Sequence, residues 1–261
     1  MPFTTTNQIK VYYEMHGQGE PLFFLNGLSS DIAQKKLFID EVKKHYQVIV
    51  PDIRGAGQTD KPQAHYTISE FAGDAYALLK ELDINKIRVM GFSMGGFIAQ
   101  ELALTHPEVV SELILVATKP AWLKPLAPSK RAHDLLHSED YSMETLIEMF
   151  DVIYGKQFKE KVSAQEYAKE KLSMPNPQPA HGYLGQLHAC ENFDVANKLT
   201  QIKQPTLIVT GTADELIQPE NSQWMHKQIP NSKLIEYPEI GHMVVDECPE
   251  RLVRDTQNFL R

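Results

Sequence analysis

The chain has 261 residues, of which 42% are hydrophobic and 23% are charged, as is typical of a globular protein with its own core. The formal net charge of −8, with no basic run to offset it, disfavours a nucleic-acid or anionic-membrane partner. No apolar run approaches the roughly 20 residues that a membrane-spanning helix needs, and no signal-peptide pattern begins the chain.

Short β-type runs alternate with longer helical patterns, which predicts a mostly parallel α/β sheet. The predicted strands are Ile9–Tyr13, Leu22–Leu25, Tyr46–Val50, Ile87–Met90, Leu113–Ala117, Thr206–Thr210 and Lys233–Tyr237. The later ones are unbroken Leu, Ile and Val runs, as expected for strands buried on both faces. The helical patterns between them are Ile32–Lys44, Ile68–Leu82, Gly95–Thr105, Asn221–Gln228 and Glu250–Leu260.

The alternation breaks in the segment 119–203. This segment contains several prolines and helical patterns such as Met143–Tyr154 and Ala164–Leu172, but no strand-like run of comparable strength. We therefore predict a core made of residues 1–118 and 204–261, and a helical lid insertion made of residues 119–203.

The predicted lid carries many aromatic and methionine side chains. Some of them are candidates for an apolar acyl pocket, although for any single one packing of the lid onto the core is the better interpretation. Trp122 is the first candidate for a substrate contact, because it lies a few residues beyond Ala117, where the chain leaves the sheet.

The most informative motif is Gly91-Phe92-Ser93-Met94-Gly95, which has the form G-x-S-x-G. A predicted strand precedes it and a helical pattern follows it, so Ser93 is predicted at a sharp strand-to-helix turn. Such a turn strains the serine and crowds its neighbours, which explains the flanking glycines. The turn would hold the hydroxyl above a helix N-terminus, as a nucleophile requires; the alternative is a solvated serine in a glycine-rich turn.

A serine hydroxyl is a poor nucleophile at neutral pH, so it needs a base to take its proton and an acid to orient that base. For a serine at such a turn, the expected chain order is serine, acid, histidine, each at the end of a different strand. Asp214 follows the strand Thr206–Thr210, and His242 follows the strand Lys233–Tyr237. Both are therefore predicted on the same rim of the sheet as Ser93.

Other residues compete for these two roles. Among ten histidines, only His242 has both a preceding glycine and a position just past a strand, although a purely structural hydrogen bond remains its alternative role. Glu215 is adjacent to Asp214 but would point differently from the loop. Asp246 begins the final helical region, where helix capping is the better interpretation.

Acyl transfer also needs two backbone N–H groups for the negatively charged oxygen of the intermediate. One is expected from Met94, the residue after the serine, and the other from the loop that follows an earlier strand. That loop begins after Leu25, where Gly27 lets the backbone curl and Leu28 is the predicted donor. Gly27 as a simple turn glycine is the alternative.

Together these motifs resemble the α/β-hydrolase superfamily. The matching segments cover both halves of the core and are Asn26-Gly27-Leu28, Asp52-Ile53-Arg54-Gly55-Ala56-Gly57, Gly91–Gly96, Gly211–Asp214 and Gly241-His242. They look most like those of small lidded esterases and lactonases, including 3-oxoadipate enol-lactonase-like enzymes. The resemblance implies an α/β-hydrolase fold, with a mostly parallel sheet flanked by helices and a helical lid inserted after the sixth strand.

One position departs from the family pattern. Many members carry His-Gly in the oxyanion loop, where this chain has Asn26-Gly27. The donor is a main-chain group, so the oxyanion site should survive while the side-chain contact differs. The resemblance also places Asp52 and Arg54 in a motif that braces the loop near the site.

The sequence predicts a serine hydrolase that cleaves a small carboxylic ester, lactone or thioester without metal or cofactor. Two alternatives remain: a carbon–carbon bond hydrolase or perhydrolase with the same residues, and a slow-turnover ligand sensor. We expect a small-molecule partner, and neither nucleic acid nor membrane; the oligomeric state stays open. Cys190 and Cys248 suggest no disulfide framework, which fits a cytoplasmic protein.

Overall fold

A computed structural model describes residues 3–138 and 140–261 of the chain. Its strands are β1 Phe3–Thr6, β2 Ile9–His16, β3 Pro21–Leu25, β4 Gln47–Pro51, β5 Ile87–Phe92, β6 Val110–Val116, β7 Thr206–Gly211 and β8 Ser232–Tyr237. They form an eight-stranded sheet in the order β1-β2-β4-β3-β5-β6-β7-β8. β2 pairs antiparallel with β1 and β4, and all the remaining pairs in this order are parallel.

The α-helices of the described residues flank the sheet or lie in the segment 119–203. They are α1 Lys36–Val42, α2 Ile68–Glu81, α3 Met94–Thr105, α4 Lys130–Leu136, α5 Met143–Ile153, α6 Lys156–Lys159, α7 Ala164–Leu172, α8 Ala180–Glu191, α9 Pro219–Gln228, α10 Val244–Glu247 and α11 Pro249–Phe259. Two 3-10 segments, Ala33–Lys35 and Ala196–Gln201, complete the regular structure.

Neighbouring residues of the central strands face opposite layers, which explains their unbroken apolar runs. Phe23 and Ile208 pack in a cluster that includes side chains of α2 and α3. Phe24 and Val209, one residue further along each strand, pack in a second cluster with side chains of α1 and α11. Helices therefore cover both faces of the sheet. A site can then form at the edge where the carboxyl ends of the parallel strands meet.

The predicted α/β-hydrolase fold is confirmed, and every predicted strand is present with ends shifted by a few residues. The prediction missed β1, which is an edge strand that hydrogen bonds only to β2. It was also wrong for the start of the helix Ile32–Lys44. The first turn there is 3-10, because Lys35 adopts a non-helical φ of −105° and ψ of 15°.

Helices α4 to α8 all lie between β6 and β7, in the segment predicted as the lid. The predicted helical patterns Met143–Tyr154 and Ala164–Leu172 correspond to α5 and α7, whereas α4 and α8 match no pattern given above. The exact division into core and lid stays a prediction. Within the described residues, no helix combines the length and the apolarity that crossing a bilayer would require.

Candidate active site

Ser93 occupies a strained turn between β5 and α3. Its backbone has φ 54° and ψ −119°, a region that residues other than glycine rarely adopt. A Cβ on Gly91 would lie 2.2 Å from the carbonyl oxygen of Gly95, and one on Gly95 would lie 2.0 Å from the carbonyl oxygen of Leu25. Both positions therefore exclude any side chain, which is the physical reason for the G-x-S-x-G spacing.

Neighbouring groups hold the strained serine in place. Its N–H donates to the carbonyl of Val116 at 2.9 Å, and the Thr118 hydroxyl donates to its carbonyl at 2.9 Å. Val116 is the last residue of β6, which pairs with β5, and Thr118 lies two residues beyond it. Backbone strain persists only where the surroundings over-determine the conformation, and these two bonds supply that constraint.

The structure brings Ser93, His242 and Asp214 together. His242 Nε2 lies 3.1 Å from Ser93 Oγ, and His242 Nδ1 lies 2.8 Å from Asp214 Oδ2. Asp214 follows β7 and His242 follows β8, so the three residues meet at the carboxyl edge of three different strands. Both His242 and Asp214 are 3% exposed, so the chain of hydrogen bonds is shielded from water.

Asp214 is fixed by its own loop. Its Oδ1 accepts hydrogen bonds from the backbone N–H groups of Leu216 at 2.9 Å and Ile217 at 2.7 Å. Its other oxygen is therefore aimed at His242. Asp246, the alternative candidate for the orienting acid, instead forms an ion pair with the Lys35 ammonium at 3.0 Å.

The predicted oxyanion donors lie beside the serine. A Cβ on Gly27 would lie 3.2 Å from Ser93 Cβ, so the loop after β3 packs directly against Ser93. Within residues 3–138 and 140–261, neither Leu28 N–H nor Met94 N–H donates to another protein group. Met94 also opens α3, whose N-terminal N–H groups and dipole favour negative charge.

The motif that follows β4 braces this region, as the resemblance implied. Asp52 accepts hydrogen bonds from the backbone N–H groups of Ile32 at 2.8 Å and Gln58 at 2.7 Å. Burial raises the pKa of the Asp52 carboxyl to about 6. Arg54 forms a bidentate ion pair with Asp74, with both N···O distances at 2.8 Å. These residues shape the loops around the site and do not touch Ser93.

Sequence reasoning missed a carboxylate that holds the histidine loop. Glu247 accepts hydrogen bonds from Gly241 N–H at 2.8 Å and from Gly155 N–H at 3.1 Å. Met243 N–H donates to the carbonyl of Ile153 at 3.1 Å. The residues on both sides of His242 are therefore tied to the end of α5. No local pattern marks Glu247, because its second partner lies 92 residues away in the chain.

Trp122 lies where the lid segment begins. Its N–H donates to the carbonyl of Phe193 at 3.1 Å, and its side chain is 8% exposed within the core cluster that includes Phe97. These contacts give it a packing role at the base of the lid. Its contact with a substrate stays a prediction.

Lys119 is a buried cation at the end of β6. Its Nζ donates to the carbonyl of Trp122 at 2.6 Å and lies 4.7 Å from the centre of the Trp122 ring. Burial lowers the pKa of the Lys119 ammonium to about 8.

We expect Lys119 to make the free energy of unfolding depend on pH above about 8. Between pH 8 and 10.5 the unfolded chain keeps the lysine proton while the folded chain loses it, so the Lys119 contribution to stability rises with pH. Relative to Lys119→Met, the unmodified protein should gain up to about 3 kcal/mol across this window. Urea unfolding of both proteins at matched pH values measures the difference. A difference that stays constant would contradict the prediction.

One group of side chains has the composition of a metal site. The ligand atoms of His133, His137 and Glu191 all lie within 4.8 Å of one another in the described part of the chain. The two ring nitrogens of His137 already bond at 2.7 Å, to the His133 carbonyl and to Glu191. This group joins α4 and the residue after it to the last residue of α8, and it shares no residue with the Ser93 site.

A mostly parallel sheet with a serine on a strained strand-to-helix turn is typical of one class of α/β proteins, in which this turn is called the nucleophile elbow. A family model described as the alpha/beta hydrolase fold matches residues 20–161, more than half of the chain. The chain therefore belongs to the α/β-hydrolase family.

Relatives of known name cover almost the whole chain. It is 28% identical over 258 residues to the AB hydrolase superfamily protein YisY of Bacillus subtilis, covering 95% of this chain and 94% of YisY. It is 28% identical over 250 residues to a poly(3-hydroxyalkanoate) depolymerase of Ectopseudomonas oleovorans, covering 92% and 84%. The solved structure of Est816, titled an N-acyl homoserine lactone degrading enzyme, matches with a TM-score of 0.86 and 25% identity, covering 99% and 100%.

Proposed function

We propose that this hydrolase cleaves a small carboxylic ester, lactone or thioester through an acyl-enzyme on Ser93. The observation that carries the proposal is the buried chain from Asp214 through His242 to Ser93, with contacts of 2.8 Å and 3.1 Å. It provides a nucleophile, a base and an orienting acid in hydrogen-bond sequence.

In the first half of the proposed reaction, Ser93 Oγ attacks the carbonyl carbon while His242 Nε2 takes the hydroxyl proton. Asp214 accepts a hydrogen bond from the Nδ1–H group of the ring, which keeps the proton on Nδ1 and leaves Nε2 free to act as the base. The carbonyl oxygen becomes negative and is bound by the N–H groups of Leu28 and Met94. His242 then returns its proton to the departing alcohol or thiol, and the acyl group remains on Ser93.

In the second half, a water molecule replaces the leaving group. His242 removes one of its protons, and the resulting attack on the acyl carbon forms a second tetrahedral intermediate in the same oxyanion site. Collapse of this intermediate breaks the bond to Ser93 Oγ, which takes back a proton from His242 Nε2, and releases the acid.

The proposal also specifies the class of bond that is cleaved. The names of the depolymerase and of Est816 describe a polyester and a lactone, which favours a carboxylic ester or lactone bond for this chain. The cytoplasmic location inferred from the sequence also stays a proposal.

The direct test combines active-site labelling with a substrate panel. A fluorophosphonate should label Ser93 stoichiometrically and stop turnover of short p-nitrophenyl esters and N-acyl homoserine lactones. Catalysed peroxyacid formation or diketone cleavage, with esters and lactones untouched, would favour the perhydrolase or carbon–carbon hydrolase alternative. One acylation per molecule without repeated turnover would favour the ligand sensor.

Trp122→Ala should lower stability by about 3–5 kcal/mol, because the ring is buried at the base of the lid. If Trp122 also lines the acyl pocket, the ratio of kcat/KM for butyrate esters to kcat/KM for octanoate esters should change. The expected change is equivalent to about 1–3 kcal/mol for each methylene-sized feature of the pocket. The ranking of esters is measured below the melting temperature of the variant, with Trp224→Ala on α9 as a comparison. An unchanged ranking removes Trp122 from the pocket.

A further inference from the structure

We infer that Gln186, on lid helix α8, is a positioning residue that fixes the oxyanion loop, residues 26–30, beside Ser93. The inference rests on the proposed function, in which Leu28 N–H binds the oxyanion. Gln186 makes no hydrogen bond to Ser93, His242 or Asp214, so it would act through the loop.

The Gln186 side chain is fully buried and joins three separate segments. Its Oε1 accepts a hydrogen bond from the backbone N–H of Ser29 at 3.1 Å and another from Gln178 Nε2 at 3.0 Å. Its Nε2 donates to the carbonyl of Arg54 at 2.9 Å. The lid helix, the oxyanion loop and the loop after β4 therefore meet at one side-chain amide.

These partners explain why the residue is a glutamine. Ser29 N–H requires an acceptor and the Arg54 carbonyl requires a donor, and a neutral amide offers both on one rigid plane. Only one orientation of the amide satisfies both partners. An apolar side chain would leave the partly buried Ser29 N–H and Arg54 carbonyl without these partners, so Gln186 constrains the loop by hydrogen bonding as well as by packing.

Ser29 needs such a constraint because its backbone is strained. Its φ is +58°, a left-handed conformation that is uncommon for a residue with a side chain. Its carbonyl also accepts from Gln34 Nε2 at 3.4 Å, and Gln34 Oε1 accepts from Lys171 on lid helix α7. The backbone N–H of Ser29 is therefore linked to the lid by Gln186, and its backbone carbonyl is linked to the lid through Gln34 and Lys171.

The position of Ser29 determines where Leu28 N–H points. The Ser29 N–H belongs to the peptide unit that follows Leu28, so holding it fixes the backbone on the far side of the proposed donor. A misplacement of about 1 Å in a catalytic group can lower the rate about 100-fold. Loss of the Gln186 anchor should therefore reduce kcat by about 10- to 100-fold and leave KM within about threefold.

The test compares Gln186→Met with Gln204→Met. Gln204 is also buried, and its Nε2 donates to the carbonyl of Pro107 at 3.2 Å, away from the site. Both variants should lower the melting temperature, but only Gln186→Met should lower kcat on a p-nitrophenyl ester. In Gln186→Met the inhibition constant of phenylboronic acid, which forms a tetrahedral adduct on the serine, should rise while kcat falls. The affinity for the product carboxylate should stay unchanged.

Gln186→Glu tests the same contact in a side chain of equal size and guards against a misfolded methionine variant. Its carboxylate still accepts from Ser29 N–H but no longer donates to the Arg54 carbonyl, so it should retain more of kcat than Gln186→Met. Equal losses in both variants, or a Gln186→Met profile that matches Gln204→Met, would overturn the inference. Absence of Ser93 labelling and turnover in the unmodified protein would instead overturn the proposed function, and this inference with it.

Discussion

Ser93→Ala should abolish ester hydrolysis, with a loss in kcat on the order of 10⁶ by the precedent of serine proteases. The substitution removes the proposed nucleophile and the hydrogen bond to His242 Nε2, while the oxyanion donors remain. Some acceleration over water should therefore survive, but no acyl-enzyme can form. Alanine keeps the Cβ that the turn already accommodates, so the fold should be retained.

The variant is compared with Ser222→Ala, which removes a buried hydroxyl from α9 that has no hydrogen-bond partner in the described residues. That control should keep full activity and fluorophosphonate labelling, whereas Ser93→Ala should lose both. Equal circular dichroism spectra would show that both proteins are folded. If Ser93→Ala kept more than a few per cent of the rate, with contaminating esterases excluded, Ser93 could not be the nucleophile.

The sheet was predictable because its strands are buried on both faces. Runs such as Leu207–Val209 are apolar without alternation, and a parallel strand between two helical layers requires that pattern. The edge strand β1, with three threonines in four residues, carries no such signal and depends on pairing with β2. The first turn of the helix near residue 32 depends on Lys35, whose side chain is drawn inward to Asp246.

The positions of the candidate active-site residues were predictable for a related reason. In a parallel sheet the carboxyl ends of the strands meet at one edge, so residues just past three such ends are brought together without knowledge of their contacts. Ser93, Asp214 and His242 satisfy that rule, and the structure places them within hydrogen-bonding distance. Their catalytic roles remain the proposal that mutagenesis must test.

The groups that hold this site were beyond sequence reasoning. Gln186 contacts Ser29 across 157 positions, and Glu247 contacts Gly155 across 92 positions, and neither spacing follows from a helix or strand period. The aromatic and methionine side chains of the predicted lid indicated a role in substrate binding only. The observed bonds link residues of the predicted lid to the loops that carry Ser29 and His242, so substitutions in this segment are expected to change kcat as well as specificity.

Asp214→Asn should reduce kcat by about 10⁴, the value that the same change produces in the serine-protease triad. The reason can be read from the hydrogen bonds of Asp214. Its Oδ1 accepts from the N–H groups of Leu216 and Ile217, so an asparagine must place its own oxygen there. Its amide nitrogen then faces His242 Nδ1 and donates to it. The ring proton is forced onto Nε2, which can no longer accept the proton of Ser93.

Because the asparagine keeps the loop bonds and the shape of the side chain, Asp214→Asn should fold normally and bind the product acid as before. Asp194→Asn is the matched control, since Asp194 also accepts from a backbone N–H, that of Ala196 at 3.0 Å, but lies outside the site. Steady-state kinetics on one p-nitrophenyl ester should show the loss in kcat only for Asp214→Asn. A rate within tenfold of the unmodified enzyme would mean that another group orients His242. The structure leaves little room for one, because Asp246 is committed to Lys35 and Tyr154.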